Sequence, residues 1–219
     1  MTKRVLLSWS SGKDSAWSLQ VLRQDPVLEI VGLLTTLNEA FDRVAMHAVR
    51  RTLLEAQAEA AGLPLQVASL PWPCSNQQYE EILGGVCSQA QRDGIQAVAF
   101  GDLFLRDIRQ YREKQLQGTG LEPLFPLWEL PTATLARTMI ASGLRAKLTC
   151  IDPRRLEPKF AGREFDEQLL ADLPEGIDPC GENGEFHSFA YAGPMFRWPL
   201  GVAVGEVLER DGFVFADVF

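Results

Sequence analysis

No run of apolar residues in this chain of 219 approaches the ~20 needed to cross a bilayer. No charged-then-apolar leader precedes the first apolar segment, which begins almost at Met1, so a cytoplasmic protein is expected. Histidine is scarce, with only His47 and His187. The four cysteines (Cys74, Cys87, Cys150, Cys180) are scattered without a C-x-x-C pair. That spacing argues against zinc or redox motifs and for reduced thiols. No run of Lys/Arg exceeds two residues, and the net charge of −8 and pI near 4.9 speak against nucleic acid as a partner. Internal repeats and low-complexity tracts are missing as well.

What is present is organised around Ser8-Trp9-Ser10-Ser11-Gly12-Lys13-Asp14-Ser15. An apolar run over residues 3–7 reads as a buried strand, and Ala16, Trp17, Leu19, Val21 and Leu22 continue with helical spacing. Strand, tight polar turn and helix N-terminus together make an anion trap, with free backbone N–H groups and the positive end of the helix dipole aimed into the turn. Ser10, Ser11 and Ser15 add hydroxyls and Lys13 adds a charge. A Walker A loop would need glycine where Leu7 stands, and no G-x-G-x-x-G follows the strand. The stretch resembles the S-G-G-x-D-S pyrophosphate loop of the N-type ATP pyrophosphatases, the superfamily of GMP synthetase and asparagine synthetase. Ser11 replaces the first glycine, a change that would cost about 1 kcal/mol if the position needs positive φ.

Residues 27–36 read as a second strand. A helix follows on the stripe Met46, Val49, Leu53, Ala56 and Ala60, and Gly62 stops it. Residues 65–68 form a third strand, and Ser75 with Gln78 makes a capping box for a helix interrupted by Gly84-Gly85. A fourth strand spans 96–100 and a charged helix 104–117. This alternation predicts an α/β fold, a Rossmann-like doubly wound parallel sheet with helices on both faces. Ligands then sit at the carboxyl ends of the strands, where the Ser10–Ser15 loop, Thr35-Thr36 and Gly101-Asp102 fall. After Pro126 the pattern changes to a helix around Leu135 and Met139, a strand at 146–150 and a loop-rich stretch over 152–183. Strands at 186–192, 202–209 and 213–218 follow, the last two joined by Asp211-Gly212. The expected organisation is a nucleotide-binding domain over 1–126 and a smaller α+β acceptor-binding domain over 127–219. With 46% hydrophobic residues the chain has ample core for this.

A second polar cluster stands at Asp178-Pro179-Cys180-Gly181-Glu182-Asn183-Gly184-Glu185-Phe186-His187-Ser188. Its glycines free the backbone for a strained turn or close approach, and carboxylates, an amide, an imidazole and a hydroxyl surround them. Glu185 and His187 share one strand face, but a metal site lacks further nitrogen ligands beyond distant His47. Gly181-Glu182-Asn183-Gly184-Glu185 is similar to the G-E-G/N-G-E motif of the diphthine–ammonia ligase family. That family also carries an N-terminal S-S/G-G-K-D-S loop at about this distance. Leu33-Leu34-Thr35, Met46-His47, Gly101-Asp102-Leu103, Glu113, Pro126-Leu127-Trp128 and Pro194-Met195-Phe196 extend the resemblance nearly end to end.

The resemblance implies ATP-dependent amidation. The carboxylate of diphthine on elongation factor 2 is adenylated, pyrophosphate leaves, and ammonia attacks. It implies ATP on Ser10, Ser11, Gly12, Lys13, Asp14 and Ser15, with Leu34, Thr35, His47, Gly101 and Asp102 completing the nucleotide site and adenine near Leu33–Thr35. Mg²⁺ would bridge the phosphates with Asp14 or Asp102 as ligands. Lys13 and Asp14 act at the phosphates. Glu182, Asn183, Glu185 and His187 are expected on the acceptor side, holding ammonium or, with Phe186 or Trp128, a cationic group. The partners are ATP, ammonia and a carboxylate-bearing acceptor, itself a protein side chain in this family, with neither membrane nor nucleic acid. A homodimer stays open. Two alternatives remain at this point: a nucleotide-binding or sensing protein without turnover, and a sulfur-inserting tRNA modifier, against which the acidic surface and unpaired cysteines count.

Overall fold

The protein is described here by a computed structural model over residues 2–40, 43–44 and 49–219. The chain opens with β1 (Lys3–Ser8), α1 (Lys13–Leu22), β2 (Leu28–Asn38) and the two-residue β3 (Arg43–Val44). It continues with α2 (Arg51–Ala61), β4 (Leu65–Leu70), α3 (Asn76–Arg92), β5 (Ala97–Ala99), α4 (Arg106–Leu116) and β6 (Glu122–Leu124). Strands β2, β1, β5 and β6 lie side by side in parallel, and β4 runs parallel to β2 along its other edge. Among the described residues of this sheet, only β3 is antiparallel, paired to the end of β2. The chain therefore works outward from β1 to β4, then crosses back to lay β5 on the other side of β1. That reversal between β1 and β5 opens a crevice at the carboxyl ends of the strands.

Alternation along β1 explains why the sheet is covered on both faces. Val5 and Leu7 enter one apolar cluster and Leu6 enters another, with Cys87, Ala90, Val98 and Leu116. The first cluster is the larger, because the rest of the chain packs on it. That remainder comprises α5 (Thr132–Ala141), β7 (Arg145–Ile151), a 3₁₀ turn at Pro158–Phe160, α6 (Glu167–Asp172), β8 (Phe186–Ala192), β9 (Val204–Arg210) and β10 (Phe213–Val218). The last four strands form an antiparallel sheet in the order β8-β7-β10-β9. Buried residues of both sheets, Leu7, Leu19, Leu148 and Phe189 among them, belong to one connected core. Asp211 and Gly212 both take positive φ at the tight turn between β9 and β10, as the hairpin reading expects. No helix among the described residues is long and apolar enough to cross a membrane.

Three differences from the sequence reading have physical causes. Strand β6 carries no strand signal in the sequence, since it is only three residues long and contains Pro123, which a sheet edge tolerates. Helix α6 hides in the loop-rich stretch, where Asp166 caps it by accepting from the Leu169 N–H at 2.7 Å. Helix α2 begins at Arg51, not near Met46, because Arg50 is extended and Val44 N–H bonds the Val49 carbonyl at 3.0 Å. Met46 and His47 lie outside the described residues. The Ser75–Gln78 capping box is formed as expected.

A buried glutamine ties the two sheets together. Gln57 on α2 accepts from Trp9 Nε1 at 2.9 Å, and its amide donates to the Ser11 carbonyl at 2.9 Å and to the Ala190 carbonyl of β8. Ala190 N–H also donates to the Ser11 carbonyl at 3.0 Å. Every polar atom of the Gln57 side chain is used, so the residue behaves as a bracket between α2, the turn after β1 and the second sheet. Replacing it with an apolar side chain strands the buried Trp9 N–H, a loss of about 1–3 kcal/mol. Gln57→Leu is therefore expected to lower unfolding stability by that amount in urea titration. Gly84 and Gly85 present the opposite case. A Cβ at either meets nothing within 4 Å, and nothing in the structure explains the glycines. Gly85→Ala should raise stability by about 0.5–1 kcal/mol in the same assay, through helix propensity alone.

Candidate functional site

A cleft of about 370 Å³ occupies the crevice at the chain reversal, bordered by the ends of β1, β2 and β5 and by the loop that leads into β8. Its floor is set by close backbone packing. A Cβ on Gly101, just after β5, would lie 3.2 Å from the Asp14 carbonyl carbon and the Ser15 nitrogen, so glycine lets β5 approach the start of α1 without pushing that backbone aside. Ser11, in the position that the related loops fill with glycine, has φ +70°, so the conditional strain applies. The Gln57 and Ala190 bonds to its carbonyl hold it there.

The turn presents Ser10, Lys13, Asp14 and Ser15 to the cleft. Ser10 Oγ and Ser15 Oγ lie 3.2 Å apart, and Ser10 Oγ also accepts from the Gly12 N–H at 3.3 Å. Gly12 caps α1 without any side-chain hydrogen bond, leaving the positive helix end toward the cleft. Ser11 and Gly12 do not line the cleft themselves, and the Ser11 hydroxyl is buried without a partner. On the β2 side Leu34, Thr35 and Thr36 complete the wall, and on the β5 side Gly101 and Asp102.

Lys13 is engaged within the protein. Its ammonium donates to Asp14 Oδ2 at 2.8 Å, to Asp14 Oδ1 at 3.0 Å and to the Cys180 carbonyl. The rings of Phe186 and Phe165 flank it at 5.4 and 5.5 Å. Its own N–H donates to Ser188 Oγ at 3.2 Å. Burial works against the charge on Lys13, but Asp14, Cys180 and Glu182 outweigh it and hold the ammonium's pKa above its ordinary value. Burial raises the Asp14 carboxyl, opposed by Lys13.

The loop from Asp178 to Glu185 is a folded turn. Asp178 Oδ2 accepts from the N–H groups of Glu182 at 2.9 Å and Cys180 at 3.2 Å. Gly181 and Gly184 both have positive φ, and a Cβ on Gly181 would sit 2.8 Å from the Phe186 carbonyl oxygen, which excludes other residues there. Glu185 is buried within the turn, accepting at Oε1 from Asn183 Nδ2 at 3.0 Å and from the Asp178 N–H at 3.2 Å. Of the four residues expected on the acceptor side, Glu182 and His187 line the cleft, whereas Glu185 and Asn183 brace the turn from outside it. Phe186 reaches the cleft, while Trp128 is taken up by Arg109 at 4.7 Å and Phe125 at 5.9 Å.

Glu182 closes the loop over β5. Its Oε1 accepts from the Leu103 N–H at 2.7 Å and more loosely from Phe104 at 3.4 Å. Burial pushes its carboxyl up to about 7, with the nearby Asp14 and Asp102 charges adding to the effect and the Leu103 N–H opposing it. Asp102 is raised by burial too, with Arg112 opposing, and its Oδ2 is buried without a hydrogen bond. Among the described residues no group of three or more His, Cys, Asp or Glu could hold a metal by itself. Asp14 and Asp102 nevertheless share the cleft, and a carboxylate oxygen that accepts no hydrogen bond suits Mg²⁺, which takes one or two carboxylates together with substrate phosphates.

Several residues that shape the site gave little sequence signal. Gln57 sits among the apolar positions of α2, where a lone buried amide is the one hint. Arg112 and Gln115 line the cleft from α4, three residues apart on one helix face, in a segment that reads only as a charged helix. Glu113, between them, pairs with Arg109 at 2.8 Å away from the cleft.

Comparison with known proteins identifies the family. The family description Diphthamide synthase N-terminal domain matches residues 3–123, and Diphthamide synthase C-terminal domain matches 131–214. The diphthine–ammonia ligase of Homo sapiens is 24% identical over 237 aligned residues, taking in 98% of this chain and 88% of that protein. The diphthine–ammonia ligase of Danio rerio is 27% identical over 239 residues, with 98% and 92% covered. The N-terminal match alone takes in more than half of the chain, and both motif loops that carry the resemblance meet in one cleft. The chain belongs to the diphthamide synthase family.

Proposed function

We propose that this protein is an ATP-dependent ligase that adenylates a carboxylate and amidates it with ammonia, the acceptor being diphthine, which its relatives are named for. The observation that carries the reading is the meeting of two polar centres in one cleft. The Ser10–Ser15 turn is an anion site, and across from it stand Glu182, on a loop fastened by Lys13, and His187, at the start of β8. A nucleotide sensor would need only the first centre.

In this reading the phosphates of ATP lie on Ser10, Ser15 and the N-terminal end of α1, and backbone groups near Leu34 and Thr35 read adenine. Mg²⁺ held by Asp14 and Asp102 would neutralise charge on the phosphates as pyrophosphate departs. The acceptor carboxylate attacks the α-phosphorus, the bond to the bridging oxygen breaks, and pyrophosphate leaves. Ammonia then adds to the acyl carbon, AMP departs, and the surplus proton on nitrogen must be removed. Glu182, with a pKa near 7, suits that last task, because a base poised near the working pH combines availability with driving force. Asn183 and Glu185 support the reaction by holding the turn in shape.

Two outcomes test this. With ATP, Mg²⁺, ammonium and the diphthine-bearing acceptor, label on the α-phosphate should appear in AMP and label on the γ-phosphate in pyrophosphate. Steady formation of ADP in place of AMP would remove the ligase reading. The second outcome concerns pH. If Glu182 must be ionised to accept a proton, turnover at constant free ammonia rises through pH 7 and levels above it. Glu182→Gln should flatten that rise and lower kcat by roughly 10²-fold or more. Stability runs the other way. A carboxyl raised in the folded state favours folding below its unfolded pKa, and that advantage fades as pH climbs through about 7. Glu182→Gln is thus expected to raise Tm more at pH 8 than at pH 5, a shift that thermal denaturation reads directly.

A further inference from the structure

The cleft continues past the turn, over β5 and between α3 and α4. Here it is lined by apolar side chains, Leu83 and Val86 from α3 with Val98, Phe100 and Leu116. Set into this apolar wall are Arg112 and Gln115 of α4. Arg112 Nε and Gln115 Nε2 are both buried and neither has a hydrogen-bond partner. The Arg112 guanidinium lies 5.1 Å from the centre of the Phe100 ring. Its Nε is 3.8 Å from Asp102 Oδ2, too far for a hydrogen bond. Asp102 offsets the Arg112 charge without meeting its N–H, and the Gln115 amide has no acceptor at all, so both keep donor capacity that an oxygen in the cleft, from water or a ligand, can take up.

The Arg112 guanidinium can only donate, which sets the chemistry of the group it fits: it accepts, as a carboxylate or carbonyl oxygen does, and the Gln115 amide offers its N–H beside it. The apolar surroundings fit a hydrocarbon stem behind that group. The position on the β5 side matters too. Glu182 is fastened to the amides of Leu103 and Phe104 immediately after β5, so this arm of the cleft opens beside the proposed base. The β2 side, with Leu34 and Thr35, is left for the nucleobase. We propose that the arm formed by Arg112, Gln115 and the apolar wall around Phe100 is the acceptor slot, selecting a carboxylate on an aliphatic stem. This rests on the ligase reading above, and it adds Arg112 and Gln115 as the residues that choose the acceptor.

The test uses hexanoate as a probe carboxylate, with hexanol as its uncharged counterpart, and an ATP analogue whose α–β bridge is a methylene group. Calorimetry measures the analogue, and ligand-observed NMR measures the probes in its presence. Wild type is expected to bind hexanoate at least tenfold tighter than hexanol. Arg112→Met and Gln115→Leu, each checked for folding by thermal denaturation, should each lose tenfold or more in hexanoate affinity and keep analogue affinity within twofold. If wild type does not prefer hexanoate, or both variants retain it, the slot is not there. If the variants lose the analogue instead, the arm belongs to the nucleobase, and the proposal falls while the ligase reading stands. Failure of wild type to bind the analogue at all would sink the ligase reading; hexanoate binding measured without nucleotide then decides the slot by itself.

Discussion

The structure depends on one buried cation. Lys13 is only 2% exposed, and taking an ammonium out of water costs several kcal/mol unless the protein surrounds it with compensating groups. Asp14, the Cys180 carbonyl and two aromatic faces do so here. Those groups come from opposite ends of the sequence, 167 residues apart in the case of Cys180. The charge can stay buried only while the turn after β1 and the loop before β8 remain together. Meeting the electrostatic demand of one residue thereby assembles the cleft from two stretches of sequence.

Sheet topology supplies the other half of the arrangement. The reversal of chain order between β1 and β5 leaves a gap at the carboxyl ends, into which the first turn of α1 points. The antiparallel sheet roofs that gap with a loop shaped by Asp178, Gly181 and Glu185 and latched by Glu182 onto the Leu103 amide. Each latch is a hydrogen bond that a backbone N–H donates to a side-chain carboxylate, which positions the loop accurately without a large apolar contact of its own. The cleft wall can then carry polar and charged groups that a fully packed interface would exclude.

Much of this was legible in the sequence, for reasons visible at particular residues. The alternation of apolar runs with helical spacing marked the parallel sheet, and Ser10–Ser15 at the first strand end marked the anion site. Ser11 was legible as a strained position because related loops have glycine there, and its φ of +70° agrees. Other features depend on contacts far apart in the chain, which no local pattern carries. Gln57 looks like an ordinary helix residue until Trp9, Ser11 and Ala190 surround it. Glu182 and Glu185 are three residues apart in the same motif, yet one lines the cleft and the other holds the turn, because the positive φ of Gly184 turns the chain between them. Arg112 and Gln115 become distinctive only once α4 is seen packed beside β5.

A core shared by both sheets makes the two halves a single unit of inheritance. Leu7 and Leu19 from the first half and Leu148 and Phe189 from the second belong to the same buried cluster, with Gln57 and Lys13 as polar stitches across it. Gene exchange that swapped either half for a relative's would have to match an apolar surface, a buried amide and a buried charge all at once. A half taken from elsewhere would leave the Gln57 amide and the Lys13 ammonium buried without their partners, so each half is shaped to the other.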